Sequence, residues 1–586
     1  MTIALHCKNR TPRLALACAC MGLFACATPR APAPNASSEL KSERVTAAPP
    51  PHDTLPSTAI AGLDAALTKI DAEGLRRDVE TLASDEFLGR APGTLGEEKT
   101  LGYLTQAFQA LGLVPAGEAG SYRAKVPLLG ARSDAKATFR VKGKPITVKA
   151  PDDFVAHSRT GKADVTLTNA PLVFVGYGVV APEYDWDDFK EVDVRGKMVI
   201  MLVGDPPLPD PKDPSKLDEA VFKGRAMTYY GRWTYKYEIA SARGAAGVLL
   251  IHETGPAGYP YDVVKAGAIK EQLMLVEDKP AHRVDVEGWI SEPLARKLLA
   301  QAGQDFDALK TRSLSREATP IALDATATMN VHSELRRFDS YNALAMLPGR
   351  EGAKKEALVV TAHWDHFGHD EHAAGDGTFN GAIDNASGVA SMLAIARALS
   401  ALPQKPRRSV IFLSPTAEES GLLGAKHYAS HPFVPIADTV ANVNMDCMNL
   451  WGRAQAIVSV GRGSSTLDDL LQGEAARAGR HVIDDLEPEK GYFFRSDHLE
   501  LMRVGVPALH FLHPGADYLG LSAEQSAALR TSYVTSTYHK VSDQPNDGLR
   551  YDGAAEDAQL LTRVILDVTE SDSRPAFKPG FAIVVN

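Results

Sequence analysis

From about residue 340 onward, short apolar runs alternate with stretches of helical periodicity. ALVVTAH, SVIFLSP and TVANVNMD read as strands, and ASGVASMLAIARALSAL and GLLGAKHYASH between them read as helices. Strand–helix–strand succession of this kind predicts an α/β domain with a largely parallel central sheet flanked by helices. In such sheets ligands bind beyond the carboxyl ends of the strands. The polar residues at those ends are therefore the first place to look for chemistry.

They are all of one kind. The first strand runs into His363, with Asp365 two residues on. GAIDNASG puts Asp384 at a loop-to-helix junction, the next strand leads to Glu418-Glu419, and the third ends at Asp446. A later loop, STYHKVSD, carries His539. Carboxylates and imidazoles are hard or borderline metal ligands. Two neighbouring zinc ions need a bridging carboxylate. An Asp bridge, two His, a further Asp and a Glu give each ion three protein ligands and leave room for water. The adjacent glutamates offer one ligand and one free carboxylate to take a proton. Each residue also has a plain structural reading: Asp384-Asn385 as helix caps, Glu-Glu as a helix start, Cys447 as a small buried apolar residue. Five in this order on alternating elements point to a metal site.

His363, His366, His369 and His372 recur at every third position, but Gly368 and the following AAGDG break any helix, so no separate site is expected there. HExxH and GxSxG are both missing, which argues against a zincin and a nucleophile-elbow hydrolase.

HWDHFG, DNASG, EES, NVNMD and YHKVSD together resemble the co-catalytic di-zinc aminopeptidases, metallopeptidase family 28 of the zinc-exopeptidase superfamily. ASDEFLGRAPGTLGEEKTLGYL and RRFDSYNALAMLPG resemble that family's N-terminal helices and its entry to the first core strand. LVFVGYGVVAPEYDWDDFKEVDVRGKMVIML resembles an inserted, mainly β protease-associated domain. The resemblance implies two zinc ions per chain. His363, Asp384 and Asp446 would hold one, and Asp384 would bridge to a second completed by Glu419 and His539. Glu418 would be the general base and Asp365 the carboxylate that orients His363. FRSDHLELMRVGVPAL resembles a substrate-side segment, which implies that Ser496, Asp497 and His498 line the pocket, with Tyr492 the nearest tyrosine for an oxyanion. The implied activity is removal of N-terminal residues from peptides. A carboxypeptidase or a glutaminyl cyclase of the same fold, a non-catalytic surface binding protein and a dimetal phosphoesterase are the rivals.

The rest of the chain reads as follows. Residues 1–25 carry Lys8, Arg10 and Arg13 and then LALACACMGLFA, a secretory signal too short to span a bilayer. Leu23-Phe24-Ala25-Cys26 resembles a bacterial lipobox, so Cys26 is the expected lipidation site and membrane anchor; a soluble periplasmic or secreted protein is the alternative. Four of the five cysteines lie in or at this signal, leaving only Cys447 in the body and no internal disulfide. Residues 26–58, rich in Pro, Ala and Ser, read as a disordered tether. Residues 59–134 form the N-terminal part of the peptidase domain. There Leu101, Tyr103, Leu104, Phe108 and Leu111 mark a buried helical stripe. Residues 135–330 form the insert and 331–586 the main part of the peptidase. Gly176-Tyr177-Gly178-Val179-Val180-Ala181 mimics a dinucleotide fingerprint, but Pro182 and EYDWDD stand where a helix should begin. With 63 Lys+Arg against 73 Asp+Glu, a net charge of -10 and no basic block, a nucleic-acid partner is excluded.

Overall fold

A computed structural model describes residues 60–268, 270–277, 282–350, 355–581 and 583. The leader over 1–25, Cys26 and the tether over 26–58 lie outside the described residues.

The strands that matter here are β1 (Arg123–Val141), β2 (Phe154–His157), β3 (Asp164–Phe174), β4 (Met198–Leu202), β5 (Gly247–His252), β6 (Val286–Ser291), β7 (Ile321–Leu347), β8 (Ala357–Thr361), β9 (Ser409–Ser414), β10 (Thr439–Asp446) and β11 (Ala508–Leu512). The helices are α1 (Ala72–Leu82), α2 (Leu95–Ala110), α3 (Trp233–Ala242), α4 (Glu292–Gln301), α5 (Ser387–Ser400), α6 (Leu423–Ser430) and α7 (Asp552–Glu570). One sheet runs β11-β10-β8-β9-β7-β3-β4-β5-β6-β2. Pairs β8–β9, β8–β10 and β10–β11 are parallel, as the strand–helix alternation predicts, and β7 enters antiparallel to β9.

β8 and β10 are buried along their whole length, as continuous apolar runs covered on both faces should be. Helix α5 covers one face. It is rich in Ala, nearly all of it is buried, and it packs against α7 and α1. On α2, Leu101, Leu104 and Phe108 face the core, while Tyr103 donates to Asp78 on α1 at 2.7 Å and Arg397 of α5 also pairs with Asp78.

There are two large apolar cores. One gathers residues from 63–113 and 343–568, the other mainly residues from 139–331. The boundaries expected at 134/135 and 330/331 both fall inside long strands. One edge of β7 pairs with β1 from Ala325↔Val141 to Ala343↔Arg123. Its other edge pairs first with β3, then with β9. The middle block also holds more than strands, with parallel β3, β4, β5 and β6 joined through helices such as α3. No helix among the described residues is long and apolar enough to cross a membrane.

Candidate metal centre

Because β8, β9 and β10 run parallel, their carboxyl ends share one edge of the sheet, and five of the expected residues arrive there directly. His363 lies two residues past β8, Asp384 in the turn that opens α5, Glu418-Glu419 beyond β9, and Asp446 at the last position of β10. His539, at φ +59°, comes from a loop that follows a helix over Ala523–Ser536.

Asp384 is at the centre. Its Oδ1 lies 3.4 Å from His363 Nε2 and its Oδ2 lies 3.2 Å from His539 Nε2. His363 Nε2 also lies 3.4 Å from Asp446 Oδ1 and 3.8 Å from Glu418 Oε2, and His539 Nε2 lies 3.3 Å from Glu419 Oε2. The five expected ligands therefore converge as two groups sharing Asp384, with Glu418 beside the first.

Two neighbours differ from expectation. Asp365 does not use its carboxylate on His363, which approaches it only at 3.7 Å. His363 Nδ1 donates instead to the Asp365 backbone carbonyl at 3.1 Å. The carboxylate receives the amides of Glu418 at 3.0 Å and Glu419 at 3.4 Å, so it holds the glutamate pair. His366, set aside in the histidine run, donates from Nδ1 to Glu419 Oε1 at 2.6 Å and belongs to the same cluster. His369 turns away to Thr378, and His372 is exposed.

The expected pocket residues divide. Ser496 accepts from Asn444 at 2.7 Å. Asp497 is fully buried with neither carboxylate oxygen hydrogen-bonded. His498 packs inward. It is buried, donates from Nε2 to the Phe493 carbonyl at 2.8 Å and stacks on His510 at 4.0 Å, so it fixes its own turn. Tyr492 lies beneath Arg495 and Lys490, 5.2 and 5.9 Å from its ring. The tyrosine at the cluster is Tyr538, stacked on His539 at 3.7 Å. Asp543 was also missed. It accepts the amides of Ile383 and Asp384 at 3.0 Å each, and its backbone carbonyl takes that of Ala382 at 3.1 Å.

The electrostatics fit cations. Burial, then Asp446, Asp497 and Asp384, pushes Glu418 well above the carboxylate range, and burial with Asp384 and Glu418 does the same to Glu419. Burial raises Asp497 to about 8. Burial also opposes ionisation of Asp384, yet hydrogen bonds from His363 and His539 hold it well below the usual range. So many buried carboxylates cannot all ionise without added positive charge. His363 Nε2 and Asp446 Oδ1 are buried without a hydrogen-bond partner. Ligand atoms around a tetrahedral zinc with bonds of about 2.0–2.2 Å lie roughly 3.3–3.6 Å apart, close to the spacings of 3.2–3.4 Å around Asp384. The mixed nitrogen and oxygen donors also suit zinc.

A model of peptidase family M28 matches residues 342–564. The aminopeptidase YwaD of Bacillus subtilis (strain 168) is 27% identical over 242 residues, covering 40% of this chain and 46% of the relative. A vacuolar membrane protease of Candida glabrata is 26% identical over 216 residues, covering 31% of this chain and 21% of the relative. Less than half of either relative is therefore spanned. Among solved structures, an aminopeptidase from Aneurinibacillus sp. strain AM-1 overlays with a TM-score of 0.47 at 18% identity, covering 89% of this chain and 98% of that one.

Proposed function

The chain belongs to peptidase family M28 through residues 342–564, and from that premise we propose that it is an exported zinc-dependent aminopeptidase removing N-terminal residues from peptides. The observation that carries this reading is Asp384, whose two carboxylate oxygens face one histidine each. His363, Asp384 and Asp446 would hold one zinc, and Asp384, Glu419 and His539 the other. Bound zinc would supply Lewis acidity to an attacking water and to the scissile carbonyl.

The protein's own residues do the rest. Glu418, off both ligand sets, takes the proton of the attacking water and delivers it to the departing amine. Asp365 fixes the backbone of both glutamates, so that ligand and base keep their relative positions. Tyr538, whose ring stacks on His539, would donate to the developing oxyanion in place of Tyr492. The 135–330 block would be a protease-associated insert bordering the site, and lipidation at Cys26 would tether the enzyme to the envelope.

The test is hydrolysis of free and N-acetylated aminoacyl substrates by the zinc-loaded chain from residue 27 onward. Cleavage only of free amines, lost in Glu418→Gln with zinc retained, is expected. Equal cleavage of acetylated substrates would overturn the assignment.

A carboxylate-dependent exopeptidase is the second reading, and one observation favours it. Arg232 is 9% exposed, Arg495 is half-buried, and the Nε atoms of both lack hydrogen-bond partners. Contact of Tyr229 with Phe494 at 5.7 Å joins the two turns that carry them. Burial, then the neighbouring Arg495, lowers Arg232 to about 9. A substrate carboxylate would supply the missing counter-charge. Faster cleavage of a free dipeptide than of its C-terminal amide would select this reading.

A further inference from the structure

Arg90 lies in GRAPGT, far in sequence from every residue of the metal centre, and is 1% exposed. Its guanidinium is spent on backbone carbonyls. Nε donates to Trp364 at 2.9 Å, one terminal nitrogen to Leu82 at 2.8 Å and Asn380 at 2.5 Å, and the other to Gly381 at 2.9 Å. Trp364 sits between His363 and Asp365. Asn380 and Gly381 lead directly into Asp384. One planar cation thus spans the two loops that deliver the shared ligand and its histidine. Lysine, a compact ammonium on a flexible stem, cannot reproduce that fork.

The backbone around Arg90 is fitted to the same task. Leu88, Gly89 and Arg90 are three successive left-handed residues, at φ +50°, +62° and +53°. A Cβ on Gly89 would meet the Gly368 carbonyl oxygen at 2.3 Å, so the turn is wedged against the loop after His363. Gly368 donates to the Gly89 carbonyl at 2.8 Å and His366 to that of Arg90 at 3.4 Å. Asp543 grips the other side of the Asp384 turn through Ile383 and Asp384. The ligand loops are therefore held from two directions by groups that are not themselves ligands.

We propose that Arg90 is a positioning residue that sets the spacing of the ligand loops before zinc arrives, so that metal binding pays little to order them. This rests on the two-zinc reading above. Partners outside the ligand set commonly alter metal affinity by about 10–100-fold, and that range is expected for Arg90→Lys.

The experiment compares wild type and Arg90→Lys by zinc stoichiometry, competitive chelator titration and Tm with and without zinc. The expected result is two zinc per wild-type chain, 10–100-fold weaker binding in the variant and a smaller zinc-induced rise in Tm. A variant whose Tm falls equally with and without zinc, at unchanged affinity, would show a purely structural residue and overturn the proposal. Wild type that binds no zinc would overturn the two-zinc reading itself. Should Arg90→Lys fail to fold, amide exchange in zinc-free wild type decides. Protection at 363–366 and 380–384 equal to that of the zinc-loaded protein supports a preformed site. Free exchange that ends only on adding zinc refutes it.

Discussion

Asp365→Asn isolates the step between a buried carboxylate and the glutamate pair it holds. In the wild type both carboxylate oxygens are used, Oδ1 on the Glu418 amide at 3.0 Å and Oδ2 on the Glu419 amide at 3.4 Å. Asparagine keeps the shape but retains one acceptor oxygen, and its NH2 faces an amide that can only donate. The variant loses one charge-assisted hydrogen bond, about 1.5–3 kcal/mol. If that loss falls on the positioning of Glu418 and Glu419, kcat/KM drops by about 10- to 150-fold at roughly 1.4 kcal/mol per decade. The assay is steady-state hydrolysis of an aminoacyl substrate, with zinc content and Tm measured on the same preparation. A value within threefold of wild type would refute the assignment of Asp365 to the glutamate pair.

Other outcomes follow from the same coordinates of charge and packing. Burial raises Glu97 from 4.5 to about 7, while its Oε2 accepts from Gly93 and Ser340. The folded protein keeps a proton there that the unfolded chain releases, so stability falls as pH rises from about 4.5 through 7, by at most about 3 kcal/mol. Glu97→Gln flattens that term, read as the wild-type-minus-variant difference in urea midpoint at pH 4.5 and 8; a pH-independent difference would refute it. Arg408 is 1% exposed and donates to Glu356 at 2.6 Å, so Arg408→Met, which strands part of that carboxylate's charge, costs about 3–5 kcal/mol in chemical denaturation. Arg574 also pairs with Glu356 at 2.8 Å and sets the loss toward the lower figure. Leu393→Ala, at a fully buried position of α5, costs about 2–5 kcal/mol by the same assay.

Much of the candidate centre was legible because the proposed ligands sit where apolar runs stop. β8, β9 and β10 announce themselves by composition, and parallel pairing puts His363, Glu418-Glu419 and Asp446 on one edge. His539 has no strand to mark it; it was read as a further imidazole in a later loop, and the resemblance of YHKVSD gave it its place in the set. Arg90 and Asp543 act on the ligand loops through backbone carbonyls and amides 159 to 291 positions away, which leave no local pattern. Asp365 touches His363 through its backbone carbonyl, while its carboxylate reaches the glutamate amides, a contact that two residues of spacing from His363 could not reveal because the turn folds back from β9. The block boundaries expected at 134/135 and 330/331 fall within continuous strands. Apolar and polar residues change character near 330 because β7 changes partner there, while the strand itself continues.

That continuity fixes how the molecule can deform. β1 and β7 form a ribbon of 19 paired positions, from Ala325↔Val141 to Ala343↔Arg123, that runs without a break from one apolar core into the other. A hinge needs a few residues free to change φ and ψ, and a hydrogen-bonded ribbon provides none without losing its ladder. The two cores are joined as if by a beam, able to twist a little over its whole length but not to fold at a joint. Local movement is then left to turns outside the ribbon, such as those of Tyr229 and Phe494, whose rings meet at 5.7 Å.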